Sequence, residues 1–599
     1  MSVDSLTSMP FGARVLSNGG VLFRLFAPSA RSVDVAIEAP RAGRYPLVRG
    51  DDGFFETVVV DAGAGARYAF VIDGLRAPDP ASRYQPDGVH GPSVVVDPAA
   101  YTWPGASWTA RPWHETVFYE LHVGTFTAAG TYAAAAERLP DLVDLGVTAV
   151  ELMPLADVPG DRNWGYDGVL PFAPSHNYGT PDELRAFVAR AHALGLSVYL
   201  DVVYNHFGPE GNYLHAYAGE FYTQRHQTPW GAAIDVAAPE RAGVRAFFIC
   251  NAIYWLTEYR FDGLRLDAVH TIYDGEQRAF LLELAAAVSA GVERTVHLVV
   301  ENDDNESRLL EAGFRAQWND DAHHAAHVIA TGQRDGYYSD YARDPIALLG
   351  RTLTAGFAYQ GEPSAHRNGV ARGEPSAHLR LSSFVTFAQN HDQIGNRPFG
   401  ERLTALATDD AVRAIVAMLL LAPPVPLLFM GEEWGASTPF LFFCDFEPDL
   451  ARAVTQGRRG EFASFAEFAD ERARERIPDP SAAQTFERSR LRWEERATAP
   501  HAAWLAFYRN LLALRRREIV PRIERVTGND SRFETFGATG LRATWRLDDA
   551  STLALEANLG PTAGTKFSTL PQGFVVFSTH DPTYPDGIAP PWSVRWTLD

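Results

Sequence analysis

From about residue 105 the chain alternates short apolar runs with amphipathic stretches of helical period, and it continues so for about 400 residues. VFYELHVGTF leads into YAAAAERLPDLVDLG, and VTAVELMPL leads through a long loop into PDELRAFVARAHALG. LSVYLDVVYNH, FDGLRLDAVH, HLVVENDDN, SSFVTFAQNHDQIGNR and PLLFMGEEWG supply further strand-like runs, with VRAFFICNAIYWLTEY and EQRAFLLELAAAVSA as helices between them. Parallel neighbours need a crossover, and a helix is the usual one, so repeated strand–helix units predict a parallel sheet. Over this length a closed (β/α)8 TIM barrel is favoured over an open doubly wound sheet, and no G-x-G-x-x-G follows the first strand.

The flanks read differently. GVLFRLFAP, SVDVAIEA, FFETVVV and ARYAFVIDG are Val-, Phe- and Tyr-rich runs broken by Gly, Pro and Asp turns, the pattern of a β-sandwich. Proline-containing stretches close it near residue 104. The helix expected over 501–518 ends the barrel, and the Thr-, Val- and Gly-rich remainder predicts a small C-terminal β-domain. The fold class is therefore multidomain α/β, divided as 1–104, 105–518 and 519–599, with a short insert after the third strand at about 207–238.

A net charge of −21 argues against nucleic acid, whose phosphates need a basic face. The apolar run Ala414–Met430 is too short to span a bilayer and is broken by three prolines, so no membrane is expected. Two cysteines cannot frame a disulfide scaffold, and the N-terminus lacks a basic-then-apolar leader pattern. The expected location is the cytoplasm.

Chemistry in such a barrel sits where strands end. Asp267, Glu301 and Asp392 hold such places. Alternation along the strand puts Arg265 and Asp267 on one face and Leu264, Leu266 and Ala268 on the other, so the charged pair points to the barrel axis. An arginine beside Asp267 keeps it ionised, whereas the apolar run before Glu301 favours a raised pKa. One carboxylate kept charged and one kept protonated is the requirement of glycoside hydrolysis. The plainer alternative makes these acids helix caps or solvated mouth charge; three such segments, each with His, Asn or Arg neighbours, weigh against it.

DVVYNH (201–206), GLRLDAV (263–269), the ENDDN glutamate and NHDQIGN (390–396) resemble, in order, the four short motifs of the α-amylase superfamily of glycosidases and glucan transferases. The resemblance spans roughly 105–515, and the N-terminal module is similar to that of isoamylases and glycogen branching enzymes. It implies Asp267 as nucleophile, Glu301 as general acid/base and Asp392 as stabiliser of a distorted sugar. His206, Arg265 and His391 would surround that sugar, with Tyr166 stacked beneath it. Narrower features, ENDDN, QWNDDAHHAAH (317–327), YELHVGTF and TPWGAAID (228–235), resemble the trehalose-releasing branch of the superfamily. The implied substrate is an α-glucan ending in trehalose, cut at the adjoining α-1,4 bond. A functional pairing with the enzyme that makes that substrate follows. The alternative is a branching or debranching enzyme on the same barrel; a non-catalytic glucan-binding protein is disfavoured by the presence of all three acids.

Further pocket residues are expected in the same segments: His270, Asn302, Asp303, Asp320, Asp321, His323, His324, Gln389, Asn390 and Gln393. Asn302, Asp303 and Asp304 are expected to bind sugar hydroxyls. Trp164, Trp230, Trp318 and Trp434 are expected in loops, where an exposed ring can stack on a sugar face or pack loop against barrel. Glu432 and Glu433 read as solvated charge at the mouth. No cofactor is called for. For the cluster Asp320, Asp321, His323, His324 and His327, sugar-pocket wall is preferred to plain surface or core polar residues, with metal third, and calcium at Asn205 is doubtful because the insert after strand three is short.

Overall fold

The computed structural model describes the chain except residues 1–5, 105–107, 229–230, 238–240, 275–277, 465–467 and 469. Eight parallel strands close into a barrel in chain order: Phe118–Leu121, Ala149–Leu152, Ser197–Val202, Gly263–Leu266, His297–Glu301, Ala316–Trp318, Phe384–Phe387 and Val425–Phe429. Strand 1 pairs with both strand 2 and strand 8, which removes any free edge. Among the described residues no helix is long and apolar enough to cross a membrane.

The two-residue period of each strand sorts the barrel interior into layers. Phe118, Ala149, Tyr199, Val299, Ala316, Val385 and Leu427 form one apolar cluster, plugged at the N-terminal end by Trp113, whose indole N–H donates to the Ser382 carbonyl at 2.7 Å. Gly263 must lack a side chain here, because a Cβ would lie 2.3 Å from the Tyr199 ring. Two residues further along the same strands the inward positions become Glu120, Glu151, Asp201 and Arg265, all buried. The polar site thus stands on a hydrophobic floor.

N-terminal to the barrel, two antiparallel sheets face each other, one built on Val21–Phe26 and Phe54–Val59, the other on Val33–Ala39 and Arg67–Ile72. Val21, Phe23 and Leu25 alternate inward. Phe11 meets Phe247 of the barrel helix Ala242–Glu258 edge-on, and the Arg83 guanidinium lies 4.7 Å from the Phe172 ring and 4.6 Å from that of Tyr254. At the other end a five-stranded antiparallel sheet spans Ser531–Leu598. Its stacked Trp545 and Trp596 donate to the Leu353 and Ala417 carbonyls of two barrel helices.

The last barrel helix, Ala499–Leu514, continues into a wider turn at Arg515–Ile519. Buried Arg515 donates there to the carbonyls of Leu420, Ala422, Pro423 and Pro424, where the helix Asp409–Leu421 ends and prolines supply no N–H. Burial pushes its pKa down to about 9, so the charge is held by carbonyl dipoles. Arg515→Leu leaves those acceptors unmet and should lower stability by about 3 kcal/mol or more. The check is the urea midpoint of tryptophan fluorescence; an unmoved midpoint would show that the cap is dispensable.

Candidate active site

Arg265 organises the upper layer of the barrel. Its Nη1 donates to Asp201 Oδ2 at 2.7 Å and to Asp267 Oδ1 at 2.8 Å, and its Nη2 to Glu301 Oε2 at 2.6 Å. The guanidinium lies 4.1 Å from the centre of the Trp318 ring. A buried cation of this kind is tolerable only when paired and hydrogen-bonded.

The three carboxylates respond differently. For Asp267 burial works against ionisation, but Arg265, His206 and the 2.9 Å bond from Asn205 Nδ2 outweigh it, and the pKa falls below the usual carboxylate range. Asp201, sealed in and close to Asp267, is raised to about 6 in spite of Arg265 and the 2.6 Å bond from the Tyr166 hydroxyl. Glu301 is raised well above its ordinary value, by burial first and then by the charges of Asp267, Asp320 and Asp392, against the pull of Arg265. The 2.6 Å contact does not reverse this, since one guanidinium serves three acids. Glu301 Oε2 also accepts from the Ala268 N–H at 2.9 Å, which leaves Oε1 for the cleft. Ala268 adopts φ +39°, turning the chain sharply just after Asp267. Strand-end geometry therefore sets Asp267, shifted toward its ionised form, beside Glu301, shifted toward its protonated form.

The cleft above is lined by His270, Glu301, Asp303, Asp320, His324, Asp392 and Gln393 from the expected set. Burial raises Asp392, and Asp320 to about 7. Tyr166 stacks on His391 at 5.1 Å; the preceding Gly165 has φ +106° and a Cβ there would meet the Pro154 carbonyl at 2.2 Å. His206 bonds the Asn205 side chain at 2.6 Å and the Tyr166 carbonyl at 2.9 Å, so Asn205 is already engaged on both sides.

Other expected residues stand behind this surface. Gln389 accepts from the Leu403 N–H, Asn390 caps the helix His391–Gly395, and buried His323 bonds the Ala388 carbonyl. Asp321 is buried and takes Arg372 at 3.0 Å, Asn305 at 2.9 Å and the Ala358 N–H at 2.7 Å. Asn302 binds Glu306 at 3.0 Å and the Asp304 N–H, while Asp303 and Asp304 are gripped by Arg367, Arg372 and Arg278. Their hydrogen-bonding capacity is thus largely spent within the protein, although Asp303 still lines the cleft.

The tryptophans and the late glutamates depart from expectation. Trp318 ends barrel strand 6, and Trp164, Trp318 and Trp434 are all buried. Trp164 stacks on Phe440 and fills the space over Gly395, where a Cβ would lie 2.0 Å from the indole; Trp230 is outside the described residues. Glu432 and Glu433 are buried too, bonded to the Tyr508 and Tyr119 hydroxyls, and burial raises both to about 7. The turn after strand 8 folds under the last helix instead of facing solvent.

Sequence reasoning missed Glu120, Glu151 and Asp201, although strand parity with Phe118, Ala149 and Tyr199 could have found them. It also missed Tyr337, Asp340, Tyr341, His366, Arg367 and Arg372 of the cleft wall, which carry no local signal.

The model of the alpha amylase catalytic domain matches residues 108–230, carbohydrate-binding module 48 (isoamylase N-terminal domain) matches 10–100, and a domain of unknown function, DUF3459, matches 528–596. With the barrel and its strand-end acids, these define a glycoside hydrolase of the α-amylase superfamily. The malto-oligosyltrehalose trehalohydrolase of Deinococcus radiodurans is 45% identical over 85% of this chain and 83% of its own, and that of Saccharolobus solfataricus 39% identical over 85% and 87%. A crystal structure of a Salmonella typhimurium protein assigned as an alpha amylase superposes with a TM-score of 0.91 at 42% identity, covering 98% of this chain and 99% of its own. The chain belongs to the malto-oligosyltrehalose trehalohydrolase family.

Arg265→Lys keeps the charge but loses the fork that reaches three carboxylates from one planar group. It should lower kcat about 100-fold with the fold intact by circular dichroism; a loss of only a few-fold would mean that the charge alone suffices.

Proposed function

We propose that the chain hydrolyses the α-1,4-glucosidic bond next to the terminal trehalose of maltooligosyltrehalose, with retention of anomeric configuration. The observation that carries the mechanism is the pairing around Arg265 of an ionised Asp267 with a protonated Glu301. Glu301 Oε1 delivers the proton to the oxygen leaving with trehalose while Asp267 attacks the anomeric carbon. Arg265 binds one oxygen of each acid from adjacent nitrogens, which sets them side by side, as a covalent route requires. Glu301, now a carboxylate, takes a proton from water, and that water releases the maltooligosaccharide from Asp267. Asp392 faces the same cleft as Glu301, where its charge and acceptors suit the flattened, cationic sugar.

The substrate must come from an enzyme that builds the trehalose end on a maltooligosaccharide, so the two activities work in sequence. Both cysteines are buried free thiols, which fits work in the reducing cytoplasm.

Product analysis tests the reading. Incubated with maltotriosyltrehalose, the protein should release trehalose and maltotriose, with much slower attack on maltopentaose. Absence of trehalose together with new α-1,6 branch points in amylose would make it a branching enzyme instead.

The acids also set the pH profile of kcat/KM. Activity needs Asp267 deprotonated and Glu301 protonated, so the acid limb lies below the ordinary Asp range and the alkaline limb above the ordinary Glu range. Glu301→Gln should cut kcat by about 1,000-fold and abolish the alkaline limb; persistence of that limb would assign it to another group.

A further inference from the structure

We propose that Glu120, at the top of barrel strand 1, is a positioning residue for this reaction: its carboxylate seats His391 so that Nε2–H is presented to the sugar at the cleavage point. The proposal rests on the hydrolytic reading above and adds a residue that touches no substrate.

The geometry is specific. Both Glu120 oxygens are used on one residue: Oε2 accepts the His391 backbone N–H at 3.0 Å, and Oε1 meets His391 Nδ1 in a short contact. Glu120 and the His391 ring are almost completely buried, with side-chain exposures of 1% and 4%. An ionised carboxylate can only accept, so Nδ1 must carry its proton. Nε2 makes no hydrogen bond to the described protein. The Tyr166 ring stacked on the imidazole and the edge of Trp164 fix its plane.

The surrounding charges decide the state of Nε2. Glu120 faces the ring from strand 1, Asp392 follows it in the chain, Arg265 approaches from strand 4, and His122 lies beyond strand 1. Burial and Arg265 oppose a second proton, but the charge and hydrogen bond of Glu120, followed by Asp392, prevail, and the pKa is raised. Glu151, in register with Glu120 on strand 2, adds no competing charge: burial, then Glu120 and Asp201, raise it far above its ordinary value, and neither of its oxygens finds a partner. The result is a cationic imidazole whose free N–H is a charge-assisted donor.

Two measurements test this. In protein carrying 15N-labelled histidine, with His391 assigned by its loss in His391→Gln, Nε2 should lose its proton above the ordinary histidine range and should titrate within that range in Glu120→Gln. This needs no substrate, so it can fail while the hydrolytic reading stands, and trehalose release by the wild type tests that reading separately. In kinetics, Glu120→Gln should lower kcat about 100-fold at pH 8 and less than about 10-fold at pH 5, with KM within about 3-fold. A deficit independent of pH, or a His391 titration like the wild type's, overturns the proposal. Should the Gln variant not fold, Glu120→Asp keeps the charge but retracts the oxygens. It should cost about 10-fold in the wild-type background and nothing in His391→Gln; equal losses in both backgrounds also overturn it.

Discussion

One buried guanidinium governs the upper half of the barrel. Arg265 is a permanent cation beneath the cleft, and leaving it unpaired in an apolar interior would cost several kcal/mol. Asp201, Asp267 and Glu301 supply its partners, and Trp318 covers its face. More negative charge surrounds it than one cation can neutralise, so the acids divide. Asp267, with His206 and Asn205 also in its favour, takes the ionised state; Glu301, nearer the cleft and flanked by Asp320 and Asp392, keeps its proton. The difference between two chemically similar acids is therefore produced by where a single arginine is shared.

A second ionic frame holds the cleft wall. Arg372 reaches Asp321 and Asp303 together, Arg367 reaches Asp303 and Asp304, and Arg278 ties Asp304 to Glu306. The segments it joins follow strands 4, 5 and 6 and include the hairpin formed by Glu362–Pro363 and Ala371–Arg372. Surface ion pairs contribute little, but these are partly or wholly buried and networked, so they fix a loop geometry that apolar packing alone would leave loose. Beneath them His323, His324 and His327 share one helix with Tyr338 close by. Burial lowers all three, His324 to about 3 and His327 to about 4, so at neutral pH they pack as uncharged rings.

The barrel was legible because its signal is periodic: inward and outward positions alternate, and each strand is followed by a helix with its own period. The same periodicity placed Asp267 and Glu301 at strand ends, whereas Asp392 lies beyond strand 7 in the first turn of the helix His391–Gly395. Glu120 and Asp201 obey the same parity, yet they sit one layer lower and look like ordinary strand residues until all the strands are aligned in register. Arg367 and Arg372 offered less still. They reach Asp303 across more than 60 positions of chain, and nothing local distinguishes them from other loop arginines.

The tryptophans show why residue type is a weaker guide than contact. An aromatic ring in a polar, glycine-rich segment suggests a platform for a sugar, and Trp164 sits in such a segment. Its indole instead fills the gap over Gly395 and donates to the Leu441 carbonyl at 2.9 Å. That packing joins the NWGYDG turn to the NHDQIGN turn, and so sets Tyr166 against His391 and His391 against Glu120. A side chain expected to touch the sugar thus acts through the residues it braces. Trp318, which ends strand 6, is likewise occupied, by the Arg265 guanidinium over its ring. In this barrel Trp164, Trp318 and Trp434 supply rigidity, and the cleft is lined by carboxylates, imidazoles and arginines together with Tyr337 and Tyr341.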